Sequence, residues 1–252
     1  MEYAICLLPA VPMRAMADHR AEMVSQMLFG ETCRVLQRRE RWCLAKGSAD
    51  DYEGWVDAKQ LTALTEAEYG EALLWDGVTD MPMDLLLLDG APMRVPMGSS
   101  LPRGGKATLA GHSVAYVSDG DEEERPGVQE VAILMHGAPY LWGGKTVFGT
   151  DCSGLVQTVM KVCGTALPRD AAQQACVGTP VERFEDMEED DLVFFQNEEG
   201  RVVHVGICCG KGEIIHASGR VRIDLLDERG IRDRSTGVYS HRFHSIRRVG
   251  RR

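Results

Sequence analysis

The chain has 252 residues, with 28 Lys and Arg against 38 Asp and Glu, which gives a formal charge of −10. This length suits two or three compact units, and the negative charge disfavours a protein that neutralises the phosphates of nucleic acid. A hydrophobic share of 44% and a charged share of 26% are ordinary for a folded protein, so intrinsic disorder is excluded as the general state of the chain.

Membrane and export signals are weak in this sequence. No apolar run approaches the ~20 residues that a membrane-spanning helix needs. Glu2 stands where a signal peptide carries basic residues, so we expect no export signal and a cytoplasmic location. The alternative location is the periplasm or cell envelope, which would apply if an export signal had been removed. The eight cysteines show neither CxxC pairs nor a Cys/His finger, which predicts a reduced protein without a metal.

The N-terminal half is predicted to consist of β-structure. Short apolar segments alternate with turns rich in Gly and Asp, and helical periodicity is weak. The predicted strands cover residues 3–8, 32–38, 42–45, 54–56, 85–88, 91–95, 106–109 and 114–117. Two small β-barrels, over residues 1–61 and 62–125, follow from this spacing. The charged segment 119–127 is interpreted as the next domain boundary, or else as an exposed loop inside one domain.

The C-terminal part, residues 126–252, is predicted to be α+β. Helices are expected over 128–137 and 151–163, followed by strands over 191–196, 201–209 and 213–217 and another near the C-terminus. An apolar stripe runs along the second helix, and Asp151 precedes it as an N-cap whose carboxylate can accept the first free amides.

Cys152 is the first residue of that helix, where the helix dipole is expected to lower the thiol pKa and favour a nucleophile. His204 and His216 lie on two strands joined by a hairpin. A three-residue loop would pair Cys209 with Glu213 and place both imidazoles on one face, whereas a two-residue loop would place them on opposite faces. A thiol, a base and an orienting group form the set that nucleophilic catalysis requires.

Six motifs in this region resemble the NlpC-type cell-wall cysteine peptidases. They are Tyr140-Leu-Trp-Gly-Gly144, Thr150-Asp-Cys-Ser-Gly-Leu155, Leu167-Pro-Arg-Asp170, Asp190-Asp-Leu-Val-Phe-Phe195, Val203-His-Val-Gly206 and Ile215-His-Ala-Ser218. The resemblance implies a papain-like fold, with Cys152 as nucleophile, His204 as general base and His216 as the group that holds it. It also implies that the Tyr140 hydroxyl stabilises the oxyanion.

The N-terminal half is similar to the first bacterial SH3-like domain of the γ-D-glutamyl-L-diamino-acid endopeptidases, through residues 20–31 and 51–56. In that branch two SH3-like domains precede the catalytic domain. By resemblance, Glu22, Tyr52 and Asp151 would bind the free α-ammonium of an N-terminal L-alanine. Trp142 and Ser153 would line the subsite for the D-glutamyl residue.

Some positions depart from the family pattern or leave its interpretation open. Ala171 and Ala172 stand where the family often offers a serine to the substrate carboxylate. Arg169 either faces the substrate or forms a structural ion pair. Residues 62–125 match the SH3-like pattern least well.

The resemblance implies a cysteine endopeptidase that cleaves L-Ala-γ-D-Glu-meso-diaminopimelate during murein recycling, without a cofactor. The murein peptide is the expected partner of a monomeric enzyme that neither binds nucleic acid nor spans a membrane. The alternatives are a wall-bound peptidoglycan hydrolase that acts outside the cytoplasm and an inactive SH3-like wall-binding module.

Overall fold

The computed structural model describes residues 2–116 and 125–250. The chain divides into two compact units, here called unit 1 (Met1–Arg125 with Trp142–Gly144) and unit 2 (Pro126–Leu141 with Lys145–Arg252). Residues 119–124 of the predicted boundary segment lie outside the described residues, as does residue 117 of the predicted fourth strand of the second barrel. Among the described residues, every helix is too short or too polar to cross a membrane.

The first sheet of unit 1 is antiparallel and encloses a small apolar core. Its strands in spatial order are β3, β2, β6, β5, β4, β1 and β7. Buried side chains on alternate positions, such as Val11, Met13 and Met27, form the core. The strands are β1 (Tyr3–Ile5), β2 (Ala10–Arg14), β3 (Met23–Leu28), β4 (Thr32–Arg39), β5 (Trp42–Gly47), β6 (Glu53–Asp57) and β7 (Thr62–Leu64).

Four of these seven strands were predicted, whereas β2, β3 and β7 were not. Pro12 has no amide hydrogen to donate and lowers the strand propensity of β2, although the structure pairs it with Gln26 of β3. A 3₁₀ turn, Ala58–Gln60, separates β6 from β7.

The second part of unit 1 holds a four-stranded sheet in the order β10, β9, β13, β12, a two-stranded ladder of β8 and β11, and helix α1. A 3₁₀ turn, Arg103–Gly105, precedes β12. The elements are α1 (Glu66–Ala72), β8 (Gly77–Val78), β9 (Met83–Leu88), β10 (Ala91–Pro96), β11 (Ser100–Leu101), β12 (Lys106–Leu109) and β13 (His112–Tyr116).

Helix α1 was not predicted from the sequence, because it is short and has no apolar stripe. Its N-terminus is set by a capping box in which Thr65 and Glu68 exchange hydrogen bonds. The two parts of unit 1 share one core, in which Ile5 and Phe29 pack with Leu86 and Val95. Strand β7 follows the predicted division between residues 61 and 62, yet it pairs with β1 of the first sheet. The division at this point therefore stays a prediction.

Unit 2 has the predicted α+β composition, with α3 packed on the sheet strands β18 and β19. The main sheet has the order β16, β22, β17, β18, β19, β20, β21, and β22 also pairs with β21. The helices are α2 (Val128–Leu134), α3 (Cys152–Val162) and α4 (Ala171–Gln174), with a 3₁₀ turn at Phe184–Asp186. The strands are β14 (Lys145–Thr146), β15 (Gly149–Thr150), β16 (Thr179–Val181), β17 (Leu192–Gln196), β18 (Val202–Gly210), β19 (Glu213–Ser218), β20 (Arg220–Asp227), β21 (Gly230–Arg232) and β22 (Tyr239–Arg248).

Candidate active site

Helix α3 begins at Cys152, as the sequence predicts. The Asp151 carboxylate caps it by accepting the Gly154 amide at 2.7 Å. The helix packs on β18 and β19, and the backbone amides of Val205 and Ser153 hydrogen-bond to the Cys152 sulfur. The thiol therefore lies against β18 next to the position of His204, and it is only 6% exposed.

The electrostatic expectation for this thiol is wrong. Burial, reinforced by the neighbouring charge of Asp151, raises the pKa of Cys152 to about 11. The two backbone amides and the charge of Arg169 lower the pKa but are outweighed. Because desolvation disfavours the thiolate more than the helix N-terminus favours it, the resting sulfur is a protonated thiol. Its activation requires a base.

Arg169 forms a buried ion pair with the residue that precedes the nucleophile. Its Nη2 lies 2.6 Å from Asp151 Oδ2, and its Nη1 lies 3.0 Å from Asp151 Oδ1 and 2.9 Å from Ser153 Oγ. Arg169 is 1% exposed. The sequence left open whether Arg169 faces the substrate or forms a structural pair, and the structure shows the pair. The Asp151 carboxylate, expected at the substrate ammonium, is thus shared with a guanidinium.

The hairpin that carries the two histidines has a two-residue turn, yet it places both imidazoles on one face. Gly210 pairs with Glu213 across the turn, and a bulge at Cys209 then restores the register in which Cys208 pairs with Ile214. In this register Gly206 lies opposite His216. His204 is two residues from Gly206 and shares its face. The bulge was not predicted, and it compensates for the shorter turn.

The two imidazoles and one carboxylate form a continuous buried chain of hydrogen bonds. His204 Nε2 lies 2.9 Å from His216 Nδ1, and His216 Nε2 lies 3.0 Å from Asp224 Oδ2. All three side chains are at most 5% exposed. Asp224 was missed by sequence reasoning. Its signal was the tight Ser218-to-Arg220 hairpin, whose pairing puts residue 224 on the face of His216, diagonally across from it.

A third imidazole, also missed, covers the first. His241 of β22 stacks on His204 with ring centroids 4.0 Å apart and an angle of 20° between the planes. Burial and the neighbouring His241 and His216 hold the pKa of His204 well below its usual range. Burial and His216 lower the pKa of His241 to about 4. Both rings are therefore neutral at pH 7, and His204 can accept a proton.

The donor nitrogens of His204, His216 and His241 lie within 4.8 Å of one another, which makes them a candidate cluster for a metal ion. Their hydrogen bonds argue for a different use. One nitrogen of His204 and both nitrogens of His216 are already engaged. The stacked rings of His204 and His241 run side by side instead of converging on one point. The cluster is arranged for proton transfer.

The remaining predicted site residues lie in both units. In unit 2, burial and the nearby Cys152 and Asp151 raise the pKa of Tyr140 to about 12, so its hydroxyl keeps its proton and can donate it. In unit 1, Trp142 Nε1 donates to Glu22 Oε1 at 2.6 Å, which brings two of the predicted binding residues together. Tyr52 lies before β6, where its backbone accepts the Gly47 amide and donates to Asp50.

Gly206 leaves no room for a side chain beside the histidine pair. A Cβ there would lie 2.7 Å from Ile214 Cδ1 and 2.9 Å from the Ile215 carbonyl oxygen. We expect Gly206→Ala to push β18 from β19, to lower the free energy of unfolding of unit 2 by about 1–3 kcal/mol and to reduce kcat at least about tenfold. Thermal unfolding and peptidase assays measure both effects. Gly70→Ala is the control, because a Cβ at Gly70 meets nothing within 4 Å. Equal behaviour of the two variants would contradict the prediction.

Two family models match this chain. The NlpC/P60 family matches residues 137–240, which include Cys152, His204 and His216. The bacterial dipeptidyl-peptidase SH3 domain matches residues 13–61.

Two curated relatives carry the same name, gamma-D-glutamyl-L-lysine dipeptidyl-peptidase. The one from Bacillus subtilis strain 168 is 46% identical over 215 residues, covering 77% of this chain and 71% of the relative. The one from Bacillus cereus ATCC 10987 is 27% identical over 227 residues, covering 78% and 67%.

Solved structures agree on the fold. An NlpC/P60 family protein from Bacillus cereus ATCC 10987 superposes with a TM-score of 0.79 at 20% identity, over 98% of this chain and 99% of the other. An NlpC/P60 endopeptidase from Photobacterium damselae subsp. piscicida gives 0.67 at 16% identity, over 89% and 66%. The α+β unit has a papain-like fold, residues 13–61 match an SH3 domain, and one relative is 46% identical and covered over 71% of its length. The chain therefore belongs to the NlpC/P60 family of cysteine peptidases.

Proposed function

We propose that this peptidase hydrolyses the bond between γ-D-glutamate and the diamino acid in murein peptides that have a free N-terminal L-alanine, as part of wall-peptide recycling. L-Ala-γ-D-Glu-meso-diaminopimelate is the proposed substrate and L-Ala-D-Glu the released dipeptide. This proposal rests on the hydrogen-bonded pair His204–His216. The next residue after His204 is Val205, whose backbone amide hydrogen-bonds to the Cys152 sulfur. The names of the two Bacillus relatives support the bond and the dipeptide product.

The first half of the proposed mechanism is acylation of Cys152. His204 takes the thiol proton as the sulfur attacks the γ-carbonyl carbon, so that a C–S bond forms and the carbonyl electrons move to oxygen. The Tyr140 hydroxyl and the Cys152 amide donate to this oxyanion. The intermediate collapses, the C–N bond breaks, and the proton on His204 passes to the leaving amine.

The second half is hydrolysis of the resulting thioester. His204 removes a proton from water, and the hydroxyl oxygen attacks the thioester carbon. The C–S bond then breaks and the sulfur recovers the proton from His204. His216 holds the imidazole in place during both transfers, which fits its 2.9 Å hydrogen bond to His204 Nε2.

Recognition of the free N-terminus is assigned in this proposal to Glu22 and Tyr52, and that of the D-glutamyl residue to Trp142 and Ser153. A carboxylate offsets the desolvation of a bound ammonium, so acetylation of the N-terminus should abolish binding. The 2.6 Å bond from the Trp142 indole to Glu22 fits an arrangement in which unit 1 presents both side chains together.

The test is mass spectrometry of the products from four samples. They are L-Ala-γ-D-Glu-meso-diaminopimelate, its N-acetylated form, the corresponding L-lysine peptide and intact sacculi. Release of L-Ala-D-Glu from the free peptides alone, absent with Cys152→Ala, is the expected result. Equal cleavage of the acetylated peptide would contradict the proposed binding of the free ammonium by Glu22 and Tyr52. Cleavage of sacculi alone would favour a wall hydrolase, and inactivity towards all four would favour a binding module.

A further inference from the structure

Asp224 ends the buried hydrogen-bond chain that starts at His204. We propose that Asp224 is a positioning residue, which fixes the proton positions on His216 and His204 so that Nδ1 of His204 accepts the thiol proton. This inference rests on the proposed role of His204 as the base. It adds a fourth side chain to the nucleophile, the base and the group that holds the base.

Apart from His216, the groups that contact the Asp224 carboxylate only donate hydrogen bonds. Arg222 Nη2 donates to Oδ1 at 2.8 Å and the Arg234 backbone amide donates to Oδ1 at 2.9 Å. Arg222 Nε lies 2.8 Å from Oδ2, the oxygen that also faces His216. Burial raises the pKa of Asp224, but the hydrogen bonds from His216, the Arg234 amide and Arg222 outweigh it and lower the pKa. Asp224 is therefore an ionised carboxylate that accepts hydrogen bonds at both oxygens.

The direction of the remaining hydrogen bonds follows from this carboxylate. Because Oδ2 of Asp224 is an acceptor, His216 must carry its proton on Nε2. In the proposed resting state one proton is on the His216 ring, so Nδ1 has a lone pair and His204 donates Nε2–H to it. Neutral His204 consequently has its free lone pair on Nδ1. In this series of hydrogen bonds each donor hydrogen lies on the side towards Asp224, and Nδ1 of His204 is left as the basic nitrogen.

The charges around His216 support the formation of an imidazolium. His216 on β19 is faced by His204 of β18, His241 of β22 and Asp224 of β20. Behind Asp224, Arg222 is also paired with Asp233 at 2.8 Å, and the Arg234 side chain pairs with Glu213. Of the groups in contact with the two imidazoles, Asp224 carries the negative charge. It stabilises the positive charge that forms when His204 takes the thiol proton.

Asp224→Asn tests the direction of these hydrogen bonds, because asparagine has nearly the same shape as aspartate. The amide nitrogen of asparagine would meet two donors at the Oδ1 position, namely Arg222 Nη2 and the Arg234 amide. At the Oδ2 position it would meet one arginine nitrogen and the adaptable His216. The amide is therefore expected to face His216 and donate to Nε2. His216 would then donate Nδ1–H to His204 Nε2, and His204 Nδ1 would carry a proton and lose its function as base.

The experiment combines ¹⁵N NMR of the histidine rings with steady-state kinetics on the full chain. In the wild type we expect the proton of His216 on Nε2. In Asp224→Asn we expect it on Nδ1, with kcat reduced about 100-fold and KM changed less than about twofold. Asp227→Asn is the matched control, because Asp227 lies on the same strand and its carboxylate pairs with the Tyr239 hydroxyl. This control should keep the His216 tautomer and kcat.

Two results would overturn the proposal. One is a wild-type His216 protonated on Nδ1, which needs no variant and decides the question even if Asp224→Asn fails to fold. The other is a folded Asp224→Asn enzyme with the wild-type tautomer and kcat. A wild type that cleaves none of the peptides would refute the proposed function instead, and the NMR measurement would still decide the hydrogen-bond direction.

Discussion

Replacing Arg169 by methionine is expected to lower the free energy of unfolding of unit 2 by about 3–5 kcal/mol and its Tm by about 10–20 °C. The guanidinium binds both oxygens of Asp151 at 2.6 and 3.0 Å, and the side chains of Arg169 and Asp151 are 1% and 7% exposed. The variant would take the guanidinium away from a buried carboxylate directly before the nucleophile. Calorimetry or chemical unfolding measures the effect.

Arg183→Met is the matched control for this prediction. Arg183 pairs with Asp186 at 3.0 Å in the same unit, but both side chains are more than half exposed. Exposed pairs contribute about 0–1 kcal/mol, because solvent screens the charges and the side chains lose entropy on pairing. If Arg169→Met costs no more than Arg183→Met, the Asp151–Arg169 pair does not support the fold in this way.

Alkylation of Cys152 by iodoacetamide in the absence of substrate is expected to increase with pH and to reach half of its maximum near pH 11. Burial raises the pKa of Cys152 to about 11, and only the thiolate is alkylated. At pH 9, about 1% of Cys152 would be thiolate, whereas about three quarters of an ordinary thiol would be. The sign follows from the raised pKa, because the reactive form is lost as the pH falls.

Peptide mapping by mass spectrometry follows the modification of each cysteine separately. The exposed Cys176 calibrates the reagent, and Cys152→Ala identifies the peptide of interest. Half-maximal alkylation of Cys152 below pH 7 would show a thiolate held by an imidazolium and would contradict the prediction. The expected profile implies that the proton moves to His204 only when the substrate is attacked.

Much of unit 2 could be predicted because its signals are local. The N-cap Asp151 and the apolar stripe of α3 lie within a dozen residues, and they place Cys152 at the start of a helix. Side chains alternate between the two faces along β18 and β19, so the register of the hairpin decides whether the two histidines share a face. Deciding this required the bulge at Cys209, since one extra residue reverses the face of a whole strand.

The sequence by itself therefore determined the family, the α+β order of unit 2, the position of Cys152 and the candidate pair His204 and His216. Only the tertiary structure decided the state of these groups. The raised pKa of Cys152 comes from exclusion of water, and the contacts of Arg169 and His241 join segments 18 and 37 residues apart. Desolvation and such contacts exist only after packing, so a pattern along the chain does not contain them.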